Sequence, residues 1–384
     1  SDHEGIANIY SCLKSGKSIK KHTNHKNYFA RNATTDNKNI IYQCGGRIFL
    51  YNLETESTNK LDIVYQSSKT QVSRKYVSSD KYIERLTFDN KASYINIIAR
   101  GKSFSMGNWD GPVYQHGIKH GVRYNHSSNL LDNSSLLLTS DKNNTDNLEI
   151  HSIFNNKMIK RLKSSFGRIT SIKRSPKHDL FALINHKHEL SILDTTKDKI
   201  SKIDRSKHSN LSCNWSPCGK YLAYSCSTDY KCNIIKIYDM KNKKFYTVTD
   251  GISNDFSPIF DPSGKYLAFL SNRTFNPIYD SIQFDLGFPK SEKPYIIILS
   301  KDTKSPFIKN PNEKETDKKD KDDKKDKKKD IKTIIDFKNI NNRIVGIPVN
   351  ECLLDHAIGF HNDKLFYLSW PISSRNYDED GPQK

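Results

Sequence analysis

Nowhere in this chain of 384 residues do 18 apolar residues stand in a row, so nothing in it reads as a membrane-spanning helix. Helical 3.6-residue periodicity is also absent throughout, which predicts an all-β protein. Hydrophobic residues are scarce at 35%, but aromatics at 11% are plentiful, and the abundant Tyr, Phe, Ile and Thr suit strands. No signal peptide opens the chain, and its first residue is Ser rather than Met. It reads as a piece of a longer protein or a processed one.

Recognisable chemistry is missing too. There is no G-x-S-x-G nucleophile elbow. Gly16-Lys17-Ser18 and Gly101-Lys102-Ser103 resemble the end of a phosphate loop, but Ser11 and Asn96 stand where its first Gly belongs. His116 and His120 have the spacing of a zinc-binding helix, without the helix or the intervening Glu. His186 and His188 would share one face of a strand as surface residues. No catalytic residue, metal site or cofactor is expected.

Cysteine is too scattered for a closed zinc site. Of the seven, Cys213, Cys218, Cys226 and Cys232 are spaced x4, x7 and x5, with no C-x2-C pair on a tight turn. They read as reduced core and turn residues of a cytoplasmic protein. The Asn-x-Ser/Thr sequons at Asn32, Asn125, Asn133, Asn143, Asn210 and Asn272 are expected by chance in so Asn-rich a chain.

Charge is the one marked excess. The formal net charge of +19 favours acidic peptides, nucleic acids or anionic surfaces. The basic residues form no stripe interleaved with aromatics, so no specific nucleic-acid binding is expected. Residues 312–332 are almost wholly Lys, Asp and Glu in near balance. They should form a solvated, disordered loop.

What the chain does have is a repeat. A cassette returns about every 40 to 45 residues. Its clearest copies are Asn214-Trp215-Ser216-Pro217-Cys218-Gly219-Lys220-Tyr221-Leu222-Ala223-Tyr224 and Ile259-Phe260-Asp261-Pro262-Ser263-Gly264-Lys265-Tyr266-Leu267-Ala268-Phe269. A strand ends in a Pro/Gly turn, a second strand of aliphatic and aromatic residues follows, and a third ends near an Asp, as in Ile234-Ile235-Lys236-Ile237-Tyr238-Asp239. Such a period marks sheets repeated around an axis, each burying its faces against its neighbours. Units are expected over 28–63, 82–113, 122–162, 169–203, 211–248 and 256–307. A last unit, from about Ile334, would include Arg343–Val349 and Lys364–Leu368.

Residues Asp255–Ser271, followed by Arg273-Thr274-Phe275-Asn276-Pro277, Gln283-Phe284-Asp285-Leu286-Gly287-Phe288-Pro289, Lys293-Pro294-Tyr295 and Ser305-Pro306-Phe307, resemble the propeller region of the tricorn protease family. So do Ser1-Asp2-His3-Glu4-Gly5, Asn8-Ile9-Tyr10-Ser11, Tyr28-Phe29-Ala30-Arg31, Cys44-Gly45-Gly46 and Ala99-Arg100-Gly101. The resemblance implies a β-propeller chain. Residues 1–65 would be the last blades of a six-bladed propeller and 66–75 a linker. Residues 76–372 would be most of a seven-bladed propeller, and 373–384 a tail. It further implies a cytoplasmic homo-hexameric serine peptidase acting on short peptides, with PDZ and peptidase modules downstream of Lys384 and propellers that filter what passes. The competing reading is a stand-alone propeller that binds peptides or proteins without catalysis.

The repeat supplies channel candidates for that role. Arg85, Arg123 and Arg174 fall in or beside expected innermost strands, and Arg100 ends the second strand of its unit. Cations along a narrow channel would attract the acidic groups and C-terminal carboxylate of a peptide. Alternatively, these arginines cap strand ends or pair with acids such as Glu84.

Overall fold

In the computed structural model the described residues are 1–370, apart from 65, 69, 71, 72, 74, 75, 90, 119, 143, 144, 163–165, 209–211, 229–231, 281, 283 and 308–330. The expected disorder of the charged segment and the expected tail therefore lie essentially outside the described residues. So does half of the expected linker.

The repeat becomes a series of four-stranded antiparallel sheets. The first comprises β3 (Ala30–Thr35), β4 (Asn39–Cys44), β5 (Arg47–Asn52) and β6 (Ser57–Lys60), preceded by a short ribbon of β1 (Tyr10–Ser11) and β2 (Lys20–Lys21). The second holds β7 (Ile83–Phe88), β8 (Tyr94–Ala99), β9 (Lys102–Gly107) and β10 (Tyr114–His116). In the third lie β11 (Tyr124–Asn129), β12 (Ser135–Ser140), β13 (Asn147–Ser152) and β14 (Met158–Arg161). The fourth runs through β15 (Ile169–Arg174), β16 (Leu180–Asn185), β17 (Glu189–Asp194) and β18 (Lys199–Arg205). The fifth has β19 (Ser212–Trp215), β20 (Tyr221–Ser227), β21 (Asn233–Asp239) and β22 (Lys244–Thr247).

The sixth sheet departs from the simple cassette. Between β23 (Asp255–Phe260), β24 (Tyr266–Ser271) and β27 (Lys293–Ile298) an extra ribbon is inserted, β25 (Ile278–Asp280) with β26 (Asp285–Gly287). Its fourth strand is β28 (Ile344–Gly346), which pairs with β27 through Ile297–Ile344 and Tyr295–Gly346. The sequence reading assigned Arg343–Val349 to the last unit. That unit instead begins at β29 (Leu353–His361), paired with β30 (Lys364–Trp370). The long excursion between the third and fourth strands hides the pairing from any fixed period.

Side-chain hydrogen bonds explain the cassette. At the turn between first and second strands, the Ser216 hydroxyl accepts the Tyr221 N–H at 3.0 Å, and Asp261 Oδ1 accepts the Tyr266 N–H at 2.7 Å. Gly219 and Gly264 follow at positive φ, the backbone region glycine enters without steric cost. At the turn between third and fourth strands, Asp194 and Asp239 accept the N–H groups two and three residues on. These are Asx turns, which compete well with continued strand.

In the third to sixth sheets the second and third strands are largely buried on both faces, because each of these sheets is sandwiched by its neighbours. Leu137, Leu148 and Ile150 of the third sheet pack with Phe181, Leu183 and Leu193 of the fourth. Ala182, Leu190 and Ile192 pack in turn with Trp215, Leu222 and Tyr224 of the fifth. Ala223, Ile235 and Ile237 continue into Leu267, Phe269 and Ile297 of the sixth. Burying one such side chain contributes roughly 1.5–3 kcal/mol.

One interface breaks this pattern. Between the second and third sheets, Asn96, Ser105, His116 and Asn129 are all buried. The Ser105 hydroxyl donates to Asn96 Oδ1 at 2.5 Å, and His116 Nε2 lies 2.7 Å from Ser105 Oγ.

Candidate functional site

The first strands of successive sheets are neighbours in space, from β7 through β11, β15, β19 and β23 to β29. A hydrogen bond crosses each junction. Thr87 Oγ1 donates to the Ser127 carbonyl at 3.2 Å, and His126 Nε2 lies 3.2 Å from the Ile169 carbonyl. Trp215 Nε1 donates to the Lys173 carbonyl at 2.9 Å, the Phe260 N–H to Asn214 Oδ1 at 3.1 Å, and Ser257 Oγ to the His356 carbonyl at 2.9 Å. Residues on these strands are therefore brought together around one line, as the repeat predicts.

At the finishing ends of four first strands lies a cavity of about 280 Å3. Lys173 and Arg174 of β15, Trp215 of β19, Phe260 of β23 and Phe360 of β29 line it. Three repeat-turn prolines, Pro176, Pro217 and Pro262, complete its wall. The Pro turn, legible as a strand terminator, thus also builds this cavity. Lys173, Trp215 and Phe360 were not foreseen as lining residues, and only their position next to the repeated turn could have pointed to them.

The four candidate arginines occupy different levels. Arg174 belongs to the cavity just described. Burial depresses its pKa, while Asp179 and then Asp89 act in the opposite direction. Arg85 lies within β7, close enough for its charge to reinforce the effect of burial on His126, whose pKa is pushed down to about 4. Arg123 precedes β11 at the starting end of the strands, 3.6 Å from Glu84, and both side chains are open to solvent. Arg100 follows β8 at that same end, its guanidinium 4.9 Å from the Tyr82 ring centroid. The expected pairing with Glu84 is present for Arg123, so that cation is partly neutralised.

Residues 1–60 lean on the starting ends of the third and fourth sheets. The Phe29 ring meets His186 edge-on at 6.5 Å between centroids. A cleft of about 350 Å3 lies between them, lined by His25, Lys26, Tyr28, Arg47 and, from the third sheet's loop, Thr145.

Three Ser–His contacts occur among the described residues, and none has the setting of a nucleophile. Ser1 Oγ lies 3.2 Å from His3 Nδ1 at the exposed start of the chain, with the also exposed Glu4 carboxylate 4.0 Å from His3 Nε2. Ser105 and His116 are fully buried between sheets, beyond reach of a substrate. Ser11 Oγ lies 2.6 Å from His22 Nε2 on the exposed ribbon, with His22 Nδ1 3.0 Å from the Tyr51 hydroxyl. A neutral phenol cannot stabilise an imidazolium as a buried carboxylate does. Among the described residues no three His, Cys, Asp or Glu side chains gather as metal ligands. All seven cysteines are free thiols, with Cys213 pushed up to about 12 by burial. No helix among the described residues is long and apolar enough to cross a membrane.

Comparison with known proteins agrees with the geometry. A putative tricorn-like protease C-terminal subunit from Sulfurisphaera tokodaii is 34% identical over 378 residues, covering 98% of this chain and 42% of that protein. A tricorn protease homolog from Saccharolobus solfataricus is 33% identical, covering 97% of this chain and 33% of the relative. This chain therefore spans well under half the length of either. The crystal structure of the tricorn protease superposes with a TM-score of 0.65 at 22% identity, covering 97% of this chain and 35% of that one. At that identity the likeness shows the fold, a β-propeller arrangement. The family described as the tricorn protease second beta propeller domain matches residues 83–384, and the chain belongs to that family.

Proposed function

We propose that this chain is the peptide-gating propeller region of a tricorn-like serine peptidase, with the catalytic module elsewhere in a longer polypeptide. The observation that carries the reading is the cavity where four first strands finish. It combines two adjacent cationic residues, Lys173 and Arg174, with aromatic and proline walls. Such a mouth suits an oligopeptide, whose backbone and apolar side chains lie along the walls while carboxylates are drawn by the cations. Arg85, Arg100 and Arg123 add positive charge toward the opposite end of the same strands, so peptides would meet cations at more than one level.

The finer features of this proposal are expectations that the family resemblance carries with it. These are assembly as a homo-hexamer in the cytoplasm, downstream PDZ and peptidase modules, two propellers of six and seven blades, and supply of oligopeptides to a distant nucleophile. On this reading the 384-residue chain hydrolyses no peptide by itself. Turnover that survives removal of contaminating proteases would contradict it.

The decisive experiment reverses charge at Lys173 and Arg174, and separately at Arg85 and Arg123, in the longer enzyme and compares cleavage of acidic and basic peptides of equal length. Loss of preference for acidic peptides supports gating. Equal, unchanged cleavage of both would rule it out and leave the non-catalytic scaffold reading.

A further inference from the structure

The cleft between residues 24–49 and the loop of the third sheet is of a size to hold a ligand. Its volume of about 350 Å3 lies at the small end of the roughly 300–1,000 Å3 that small-molecule sites occupy. Among its described lining residues Lys26 and Arg47 are cations, and none is an acid.

The acids around it are engaged elsewhere. Lys60 first, and Arg47 last, hold the Asp62 carboxyl low, and the ion pair of Asp62 is with Lys60 at 2.5 Å. Beyond Tyr28, Asp146 Oδ2 accepts the Ile169 N–H at 2.9 Å, and Asp141 Oδ1 accepts the Arg123 N–H at 2.8 Å. Neither Lys26 nor Arg47 forms an ion pair with a described residue.

The floor and one side are aromatic. Half-buried Phe49 stacks on Tyr42 at 5.6 Å between centroids, and His25 meets it edge-on at 5.1 Å. His25 is braced in turn, its Nε2 2.9 Å from the Tyr42 hydroxyl. Burial lowers the His25 pKa, so at neutral pH this ring adds no charge. Tyr28 lies on the turn between β4 and β5. There Gly45 has φ +57°, and a Cβ would come within 2.9 Å of the Tyr28 ring. Tyr28 has its place only because position 45 carries no side chain. Asn24, Asn27 and Thr145 add neutral donors and acceptors to the lining.

We propose that this cleft binds a small ring-bearing anion, one phosphate or carboxylate group joined to a planar ring. The oxyanion sits between Lys26 and Arg47, and the ring lies against Phe49 and Tyr28. An arginine fork takes either oxyanion through two parallel hydrogen bonds. Aromatic side chains take a planar ring in offset or edge-on contact, and the asparagine amides reach its polar edge. A bare oxyanion would use only the cationic half of the lining. The site is independent of the axial cavity, which lies toward the other end of the strands.

Isothermal titration of the 384-residue chain with adenosine monophosphate and with N-acetylphenylalanine tests it, beside inorganic phosphate, acetate and adenosine. At least one ring-bearing anion should bind, one molecule per chain, more tightly than its bare oxyanion and less tightly at high salt. Tighter binding of the nucleotide identifies the oxyanion as a phosphate, and tighter binding of the amino acid as a carboxylate. Lys26→Gln/Arg47→Gln should weaken binding on the order of ten-fold or more. Thr145→Trp fills the cleft from its far wall without changing charge and should abolish binding. Lys241→Gln/Lys244→Gln removes equal charge from exposed positions of the fifth sheet and should leave binding unchanged. All three variants should keep the wild-type melting temperature.

Failure of both ring-bearing anions to bind overturns the proposal. So does a bare oxyanion that binds as tightly as the whole ligand, since the ring is then not recognised. Binding that survives Thr145→Trp, or that falls equally in the Lys241→Gln/Lys244→Gln variant, also overturns it. Either result reduces the effect to the general attraction of anions to a chain of charge +19.

Discussion

Trp215 and Lys173 stand on neighbouring first strands, and the indole Nε1 donates to the Lys173 carbonyl at 2.9 Å. The bond holds the fourth and fifth sheets in step at the wall of the axial cavity. Trp215→Phe keeps most of the apolar contact but leaves that carbonyl without its donor. The expected cost is about 1–2 kcal/mol, read as a lower urea midpoint with an unchanged slope. An unchanged midpoint would mean that water replaces the indole fully.

Asp255 opens β23 fully buried, and Arg273 grips it from the strand's edge. Arg273 Nη2 is 2.8 Å from Asp255 Oδ2, and its Nε is 3.1 Å from Oδ1. The guanidinium also lies beside the stacked rings of Phe269 and Tyr295, 5.6 and 5.7 Å from their centroids. Arg273→Met strands a buried carboxylate, and removal of one partner of such a pair costs roughly 3–5 kcal/mol. Asp255→Asn on the Arg273→Met background should recover part of that loss. If the double variant is no more stable than the single one, the pair is not the source of the cost.

Acid should unfold this protein in two stages. Burial pushes His116 and His126 down to about 4, with the neighbouring His151 adding to the first and Arg85 to the second. The folded state therefore binds their protons less readily than the unfolded chain does, whose histidines titrate near 6.5. Their contribution is complete above about 6.5 and is lost as pH falls toward 4, on the order of 3 kcal/mol each. Glu149 acts lower. Burial alone would raise its pKa, but hydrogen bonds from His151, Arg161 and Ser140 outweigh it and hold the group at about 2. Its contribution is present above its ordinary value and fades as pH drops toward 2. Denaturant titrations from pH 7 to 4 should show stability falling with each step. His126→Asn should flatten that slope, and a parallel slope in the variant would refute the assignment.

Gly117 adopts φ +76°, and a Cβ there would collide with the Tyr124 hydroxyl. That hydroxyl accepts the Ile118 N–H at 2.9 Å. Gly117→Ala combines a strained backbone with a displaced buried ring, and roughly 2 kcal/mol or more of destabilisation is expected. A thermal melt within a degree or so of wild type would contradict this.

Much of the fold was legible because the same few atoms do the same work in each unit. Ser216 and Asp261 mark one turn and Asp194 and Asp239 another, and each side chain satisfies backbone N–H groups that would otherwise need a different turn. The apolar strands between them, Leu180–Asn185 and Tyr221–Ser227, are buried on both faces and so show a run of hydrophobics. The inserted ribbon was not legible as a strand pair, since three-residue strands leave too little alternation to detect. Nor was β28, whose partner β27 ends at Ile298 while β28 starts only at Ile344.

The candidate site was half legible. Position in the repeat correctly put Arg85 and Arg174 on first strands, but the level of each along the axis depends on strand length and register. Pattern alone could not separate Arg174 in the cavity from Arg123 beside Glu84. The buried set of Asn96, Ser105, His116 and Asn129 was invisible for a different reason. Polar residues alternating with Ile and Phe look like a solvent-facing side until a second polar sheet is laid against them.

The sixth wedge is written in three instalments, at 255–271, 293–298 and 344–346. During synthesis its rim must wait until the last of these has left the ribosome, while the five earlier sheets are already whole. Entropy penalises the delay only logarithmically with the length of the excursion, so the charged stretch could be shortened or lengthened between relatives without disturbing the wedge. Time is the greater burden. For that interval β27 has a bare edge, and Lys293 at its start is a safeguard against a wrong neighbour.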